Sequence, residues 1–238
     1  MKNSNSSQSF KKTKSLSPNL IQDNTNIDKV RIKFSKKDTL CFIGHLDFLR
    51  VFQQTIRRSG LPIAYSQGFN PHQILSFALP LPLGMTSIND YADITLTEPI
   101  DNDEIILRLN ANAPQGLVFH AVYKPYGKPA AAATVVADYT VNTVISKEIE
   151  NAIESLMACK TFIIPKKTKS GIKDTDIRPD IFNIEIVENG IKLVLSAGSG
   201  RFLNPLLVAE QILTIPPCNS MMSRTELYQD INGELLPL

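Results

Sequence analysis

The 238-residue chain has no tryptophan, three cysteines and three histidines, and each shortage narrows what it can be. Without Trp, base stacking that tolerates any sequence would fall to Tyr and Phe. Cys41, Cys159 and Cys218 are odd in number and far apart, with no CxxC spacing. That excludes a disulfide framework and an iron–sulfur cluster built by this chain alone. With only His45, His72 and His120 available, a zinc site would have to collect ligands from distant segments, so neither a metal nor a cofactor is expected. No run of ~18 apolar residues is present to cross a bilayer, so no membrane association is expected. Charge of one sign is also scarce: 25 Lys plus Arg face 23 Asp plus Glu, a net +2. Affinity for nucleic acid would therefore have to come from uneven distribution. What remains, 43% hydrophobic and 20% charged residues, is the composition of a soluble globular protein of one large or two small domains.

Residues 1–28 hold six Ser, five Asn and four Lys, with no acid before Asp23. They lack the apolar run of a secretory signal and read as a disordered basic tail on a cytoplasmic protein. From Lys29 the pattern changes. Val30, Ile32 and Phe34 alternate with polar residues, as in a half-buried strand. Residues 45–59 read as a helix, with Leu46, Leu49, Phe52 and Ile56 as its apolar stripe and Gly60-Leu61-Pro62 as its stop. Strands over 74–79 and 91–97, an acid-capped helix over 98–112 and a strand over 117–123 complete a βαββαβ series. After a linker-like stretch, Lys124 to Ala133, the order recurs. The second series has a strand over 135–145, a helix over 147–158, strands over 160–164, 181–187 and 191–196, a helix over 204–213 and a strand over 223–229. The expected fold class is α+β. Two ferredoxin-like units, 29–125 and 134–238, stand in tandem, each an antiparallel sheet with helices on one face and its other face left available.

Charge separates along the chain. Residues 29–75 carry eight Lys or Arg against Asp38 and Asp47, whereas 76–120 carry six acids against Arg108. Lys160, Lys166, Lys167, Lys169 and Lys173 form a second basic cluster on the long middle loop of the second unit. On the first helix, Asp47, Arg50, Gln54, Arg57 and Arg58 fall opposite the apolar stripe. Arginines sharing one face of a rigid helix can fork onto phosphates, or can simply be a solvated face with an Asp47–Arg50 pair. His45 lies at the helix start, where an imidazole could act as a base, bind metal, or merely pack or cap; Asp47 there completes the first turn electrostatically. The loop Tyr65-Ser66-Gln67-Gly68-Phe69-Asn70-Pro71-His72 sets rings beside amides, which suits single-stranded RNA, although Tyr65 and Phe69 could equally plug the core. Gly198-Ser199-Gly200-Arg201 precedes a helix capped by Asn204 with Pro205 in its first turn. It is an anion-site candidate that structural capping explains as well.

Several of these segments resemble a known family. They are Phe42-Ile-Gly-His-Leu-Asp47, Ile56-Arg-Arg-Ser-Gly-Leu-Pro62, Tyr65 to His72, Ile74-Leu-Ser-Phe77, Pro82-Leu-Gly84 and Tyr91-Ala-Asp93. Ile177-Arg-Pro-Asp180, Ala197-Gly-Ser199 and Arg224-Thr-Glu-Leu-Tyr228 follow. Together they are similar to the bacterial radical SAM-associated (radical SAM-linked) proteins, a domain of unknown function often fused to, or encoded beside, a radical SAM enzyme. The chain departs from that pattern in having Gly44 where Ser is usual, and Asp90 is a shorter acid than usual before Tyr91. The resemblance implies a radical SAM enzyme, here a separate chain, as partner. Combined with the basic segment, it gives the expectation of a non-catalytic accessory module that binds RNA or an RNA-derived substrate. Two alternatives stand beside it: a module that docks the radical SAM partner without nucleic acid, and a metal-independent endoribonuclease using His45.

Overall fold

The computed structural model describes residues 28–168 and 171–238. The expected tail, apart from Asp28, and Lys169 of the second basic cluster lie outside the described residues. The first half opens with strand β1 (Asp28–Lys36), a short 3-10 turn (Asp38–Phe42) and helix α1 (His45–Ser59). It continues with β2 (Leu75–Phe77), β3 (Thr86–Leu96), α2 (Asn102–Asn112) and β4 (Leu117–Tyr123). Helix α2 starts four residues later than its acidic run predicts. The Asp101 side chain accepts from the backbone N–H groups of Asp103 and Glu104, and so sets the first turn.

The linker contains one turn of helix, α3 (Ala130–Ala133), and is followed by β5 (Thr134–Asn142) and α4 (Lys147–Ala158). The expected single strand and long middle loop are instead a hairpin of β6 (Ile163–Thr168) and β7 (Gly171–Asp176), which forms its own two-stranded sheet. Then come β8 (Ile181–Val187), β9 (Gly190–Ser196), α5 (Pro205–Ile212), β10 (Met222–Ile231) and β11 (Glu234–Pro237).

The architecture is mixed α+β on a mostly antiparallel sheet. The expectation of two separate sheets is corrected: nine strands form one sheet in the order β4-β1-β3-β10-β5-β9-β8, with β2 on β3 and β11 on β10. The junction is a parallel pairing of Ser223 and Arg224 with Thr86 and Ser87. β3 runs beyond its pairing with β2, and a bare strand edge there would leave backbone groups unpaired; β10 covers it. Within the first half the strands lie in the order β4-β1-β3-β2, and within the second β10-β5-β9-β8. In each half the fourth, first, third and second principal strands are thus neighbours.

Two apolar cores lie on the helix side. One gathers Val30, Ile32 and Phe34 of β1 with Phe48, Phe52 and Ile56 of α1 and with Ile105 and Leu109 of α2. Its centre is aromatic: the Phe52 ring lies 5.1 Å from Phe34, 5.1 Å from Phe77 and 5.3 Å from Phe119, each edge to face. These contacts set the rotation of α1. At ~100° per residue, Leu46 then points about 160° away from Phe48, so it is exposed and does not belong to the stripe predicted for it. The other core packs Ala137, Tyr139 and Val141 of β5 against α4 and α5.

The helix-free face is less open than expected. Lys33, Asn89 and the Tyr91 hydroxyl all converge on the Glu226 carboxylate, and the Tyr228 hydroxyl and Lys192 ammonium converge on Asp138. Burial and the Glu226 charge push the Tyr91 phenol well above the usual tyrosine range. Opposite charges from both halves therefore cross-link this face.

Candidate nucleic-acid interface

Gly44 precedes α1 in an extended conformation without a side-chain cap, and the helix ends at Gly60, whose φ of 66° is left-handed. Between them Asp47, Arg50, Gln54, Arg57 and Arg58 are all exposed. Arg50 Nη1 donates to Asp47 Oδ1 at 2.8 Å, an exposed pair of small energetic weight. Arg57 and Arg58 make no ion pair among the described residues.

The loop after α1 is closed tightly at its base. Tyr65 and Gln73 form a lone β-bridge, and Ser66 N donates to His72 O at 2.8 Å. His72 N donates to Ser66 Oγ at 3.1 Å, and Ser66 Oγ lies 2.8 Å from His72 Nδ1. Ser66 and His72 thus act as a clip. At the tip, Gly68 has a φ of 127°, open to glycine and strained for other residues. The Phe69 side chain is fully exposed beyond it, and Tyr65 is about half exposed. Of the two readings open for these rings, neither plugs the core.

The clip is tied to the helix. Gln73 Nε2 donates to the Gln53 carbonyl at 3.4 Å. Gln53 lies one turn from both Arg50 and Arg57, so the loop base adjoins the ridge that carries those arginines. Gln73 is invisible to a motif search: it follows the motif by one residue, and only its burial marks it out. The surface formed by α1 and this loop is cationic, aromatic and anchored at both ends.

Other candidates lie apart from it. His45 is exposed, its ring 5.7 Å from Phe77, at a crevice it shares with Lys36 and Asp90. That crevice has a volume of about 10 Å³, room for one water at most. His72 lines a different cavity, and Asp47 is paired with Arg50, so the fold does not bring His45, Asp47 and His72 into one site. In the glycine turn before α5, Arg201 forms an ion pair with Asp180, Nε to Oδ1 at 2.8 Å, and Asn204 caps the helix through Leu206 N. Ala197 and Phe202 bridge across Gly198, Ser199 and Gly200, and this turn is remote in sequence and fold from α1. Among the described residues, no three His, Cys, Asp or Glu groups cluster as metal ligands would. No described helix is long and apolar enough to cross a membrane.

Much of the basic segment is not on this surface. Arg31 is fully buried and forks onto Asp93, with Nε to Oδ1 at 2.7 Å and Nη2 to Oδ2 at 3.2 Å. Lys36 is buried too, donating to Ile43 O at 3.2 Å and lying 4.6 Å from the centre of the Phe48 ring. Burial lowers the Lys36 ammonium below the ordinary lysine value, against the Asp90 charge that raises it. Asp90 itself accepts from Arg224 Nη2 at 2.6 Å; burial pushes this carboxyl up, against the Arg224 and Lys36 charges.

A family described as an uncharacterized protein conserved in bacteria (DUF2344) matches residues 29–205. The chain belongs to this family. The part shared with DUF2344 begins in β1 and ends at the first residue of α5, so it contains the α1 ridge, the clipped loop and the glycine turn. No curated protein matches the chain.

Proposed function

We propose that this DUF2344 protein is a non-catalytic accessory module that binds RNA, or an RNA-derived substrate, through the exposed arginines of α1 and the Tyr65–His72 loop. The observation that carries the reading is Phe69: a fully exposed ring on a loop clipped by Ser66 and His72 and tied through Gln73 to the arginine ridge. An exposed aromatic on a loose loop would collapse onto apolar surface; held out on a loop whose base is tied to the arginine-bearing helix, it offers a stacking platform to a ligand whose phosphates meet those arginines. The common strand order of the two halves supports reading them as two ferredoxin-like units fused through β3 and β10. The resemblance in residues 42–93 supports a separate radical SAM enzyme as the partner, with both acting in RNA modification in the cytoplasm.

The test is fluorescence anisotropy with labelled single-stranded and hairpin RNA across a salt series. Binding that weakens as salt rises, and that is lost in the triple variant Arg50→Ala, Arg57→Ala, Arg58→Ala, supports the proposal. Absence of binding at low salt rejects it.

One observation favours the docking alternative. Phe42 and Leu46 are 64% and 68% exposed at the start of α1, and Gly84 N bonded to Cys41 O brings the 58%-exposed Leu83 beside them. Such a patch suits a protein partner. If it carries the function, Leu46→Asp abolishes capture of the radical SAM enzyme while RNA affinity is nil throughout.

A further inference from the structure

The path of the main sheet ends in two edge strands, β4 and β8, and the fold treats them differently. A bare edge offers unpaired N–H and C=O groups to any strand that approaches. At β4 that offer is withdrawn. Asn110 of α2 donates through Nδ2 to Phe119 O at 2.9 Å, and Phe119 N donates to Asn110 Oδ1 at 2.9 Å, so one side-chain amide stands in for a missing strand. At β8, among the described residues, a side chain from outside the strand holds only the first residue: Arg178 Nη1 donates to Ile181 O at 2.8 Å. The β6–β7 hairpin, although it precedes β8 closely in the chain, forms its own sheet and does not pair with it.

The composition of β8 also lacks the usual deterrents to pairing. Ile181–Val187 contains no proline and no lysine, and Glu185 is its one charge. Phe182 and Ile186 are 51% and 48% exposed. The register shift against β9 is confined to the start of the strand, between Ile181 and Asn183, and leaves the rest regular. Ile184 N donates to Asn183 Oδ1 at 2.9 Å, so this N–H is turned away from β9. Alternate residues of an antiparallel ladder point their backbone groups to opposite sides, so the N–H and C=O of Ile186 point outward as well. Asn183 Nδ2 also donates to Glu185 Oε1 at 2.5 Å. An amide and a carboxylate thus share one face of the strand, two residues apart.

This pattern is complementary to itself under a two-fold axis. We propose that the chain forms a dimer in which β8 pairs antiparallel with β8 of a second copy, with Ile184 opposite Ile184. In that register each Asn183 faces the Glu185 of the other copy, an amide against a carboxylate, and each Phe182 faces an Ile186. The outward groups of Ile184 and Ile186 gain partners, and Asn183 exchanges its bond to Ile184 N for the contact across the axis. Moving the axis by one residue, to Glu185, sets two carboxylates against each other and is disfavoured. An unrelated extended peptide would find the same backbone groups but not the Asn183–Glu185 exchange, which this same sequence run antiparallel supplies. The contact is closed, because both copies use the same edge and no third strand can add to it. β8 lies at the far end of the sheet from β4, β1 and β3, where α1 packs. Pairing there leaves the proposed RNA surface free on both copies, and the inference does not rest on that reading.

The experiment is sedimentation velocity on the full chain over a dilution series from near-millimolar to micromolar concentration. Pairing through one strand edge is a small interface, so a dimer that dissociates on dilution is expected. Ile186→Lys, at a half-exposed position and checked by circular dichroism, is expected to raise the dissociation constant about tenfold or more. Arg57→Ala with Arg58→Ala leaves it unchanged. The register has its own readout. Asn183 and the Glu185 of the second copy form a non-hydrogen-bonded pair, with Cα atoms about 4.5 Å apart, a spacing that a disulfide spans. In a Cys159→Ser, Cys218→Ser background, mixing the Asn183→Cys and Glu185→Cys proteins under mild oxidation is expected to give a covalent dimer, whereas each protein alone is not. A monomer at every concentration, a dimer indifferent to Ile186→Lys, or no disulfide in the mixture overturns the inference. So does a crosslink formed equally well by either protein alone.

Discussion

Arg31, Lys36 and Arg224 are each no more than 2% exposed, whereas Arg50, Arg57 and Arg58 stand on the open face of α1. In the sequence the first two of the buried set belong to the same basic segment as the exposed set. In the fold the two sets have opposite roles. A buried guanidinium has lost its water and must be paired, so Arg31 and Arg224 are committed to carboxylates and carbonyl oxygens of the protein itself. An exposed one keeps its water and its donors for a ligand. A local excess of positive charge is thus a poor measure of binding surface until burial has been subtracted.

That comparison can be broken most sharply at Arg224. Arg224→Met leaves the Asp90 carboxylate buried beside Lys36 alone, and a loss of about 3–5 kcal/mol in urea unfolding is expected. Replacing both partners, Asp90→Leu with Arg224→Met, should recover much of that loss, because no unpaired charge remains. Arg31→Met is expected to cost less, about 2 kcal/mol, since Asp93 keeps partial solvent access and the Ala130 N–H. It should also loosen the connector, whose Lys128 carbonyl Arg31 holds.

A smaller effect follows from Lys36, whose folded-state value is lowered by burial. Between that lowered value and the unfolded value of ~10.4, the unfolded chain binds the extra proton, so stability rises with pH across this window and is lost as pH falls through it. Comparison with Lys36→Met isolates the effect: the wild type should gain on the variant as pH rises through the alkaline range. The smallest change in stability is expected for Arg57→Ala with Arg58→Ala, within about 0.5 kcal/mol. The same variant should lower the slope of log affinity against log salt for RNA by about 2 if both side chains meet phosphates. Loss of stability there would place those arginines with the buried set.

Much of the element pattern was legible in the chain. The bounds of α1, β4, α4 and β8 follow from periodicity and from caps such as Gly60 and Ser146. The exposed row Asp47, Arg50, Gln54, Arg57 and Arg58 follows from helical spacing alone. Leu46 did not, because the rotation of α1 is decided by Phe34, Phe77 and Phe119, which reach it from other strands. The β6–β7 hairpin was hidden by its lysines, which read as loop because the hairpin pairs outside the main sheet.

Local chemistry is written locally. Alternation, capping and turn residues act over a few positions, so the sequence by itself determined the α+β class, the βαββαβ order of the first half and the turn-rich loop after α1. Burial and pairing are set by segments far apart in the chain. Only the tertiary structure decided that β10 would join β3, that Arg224 would answer Asp90 across 134 positions, and that Gln73 would be buried against the Gln53 carbonyl of α1. Desolvation is what gives those residues their meaning, and it exists only once distant strands have closed over them.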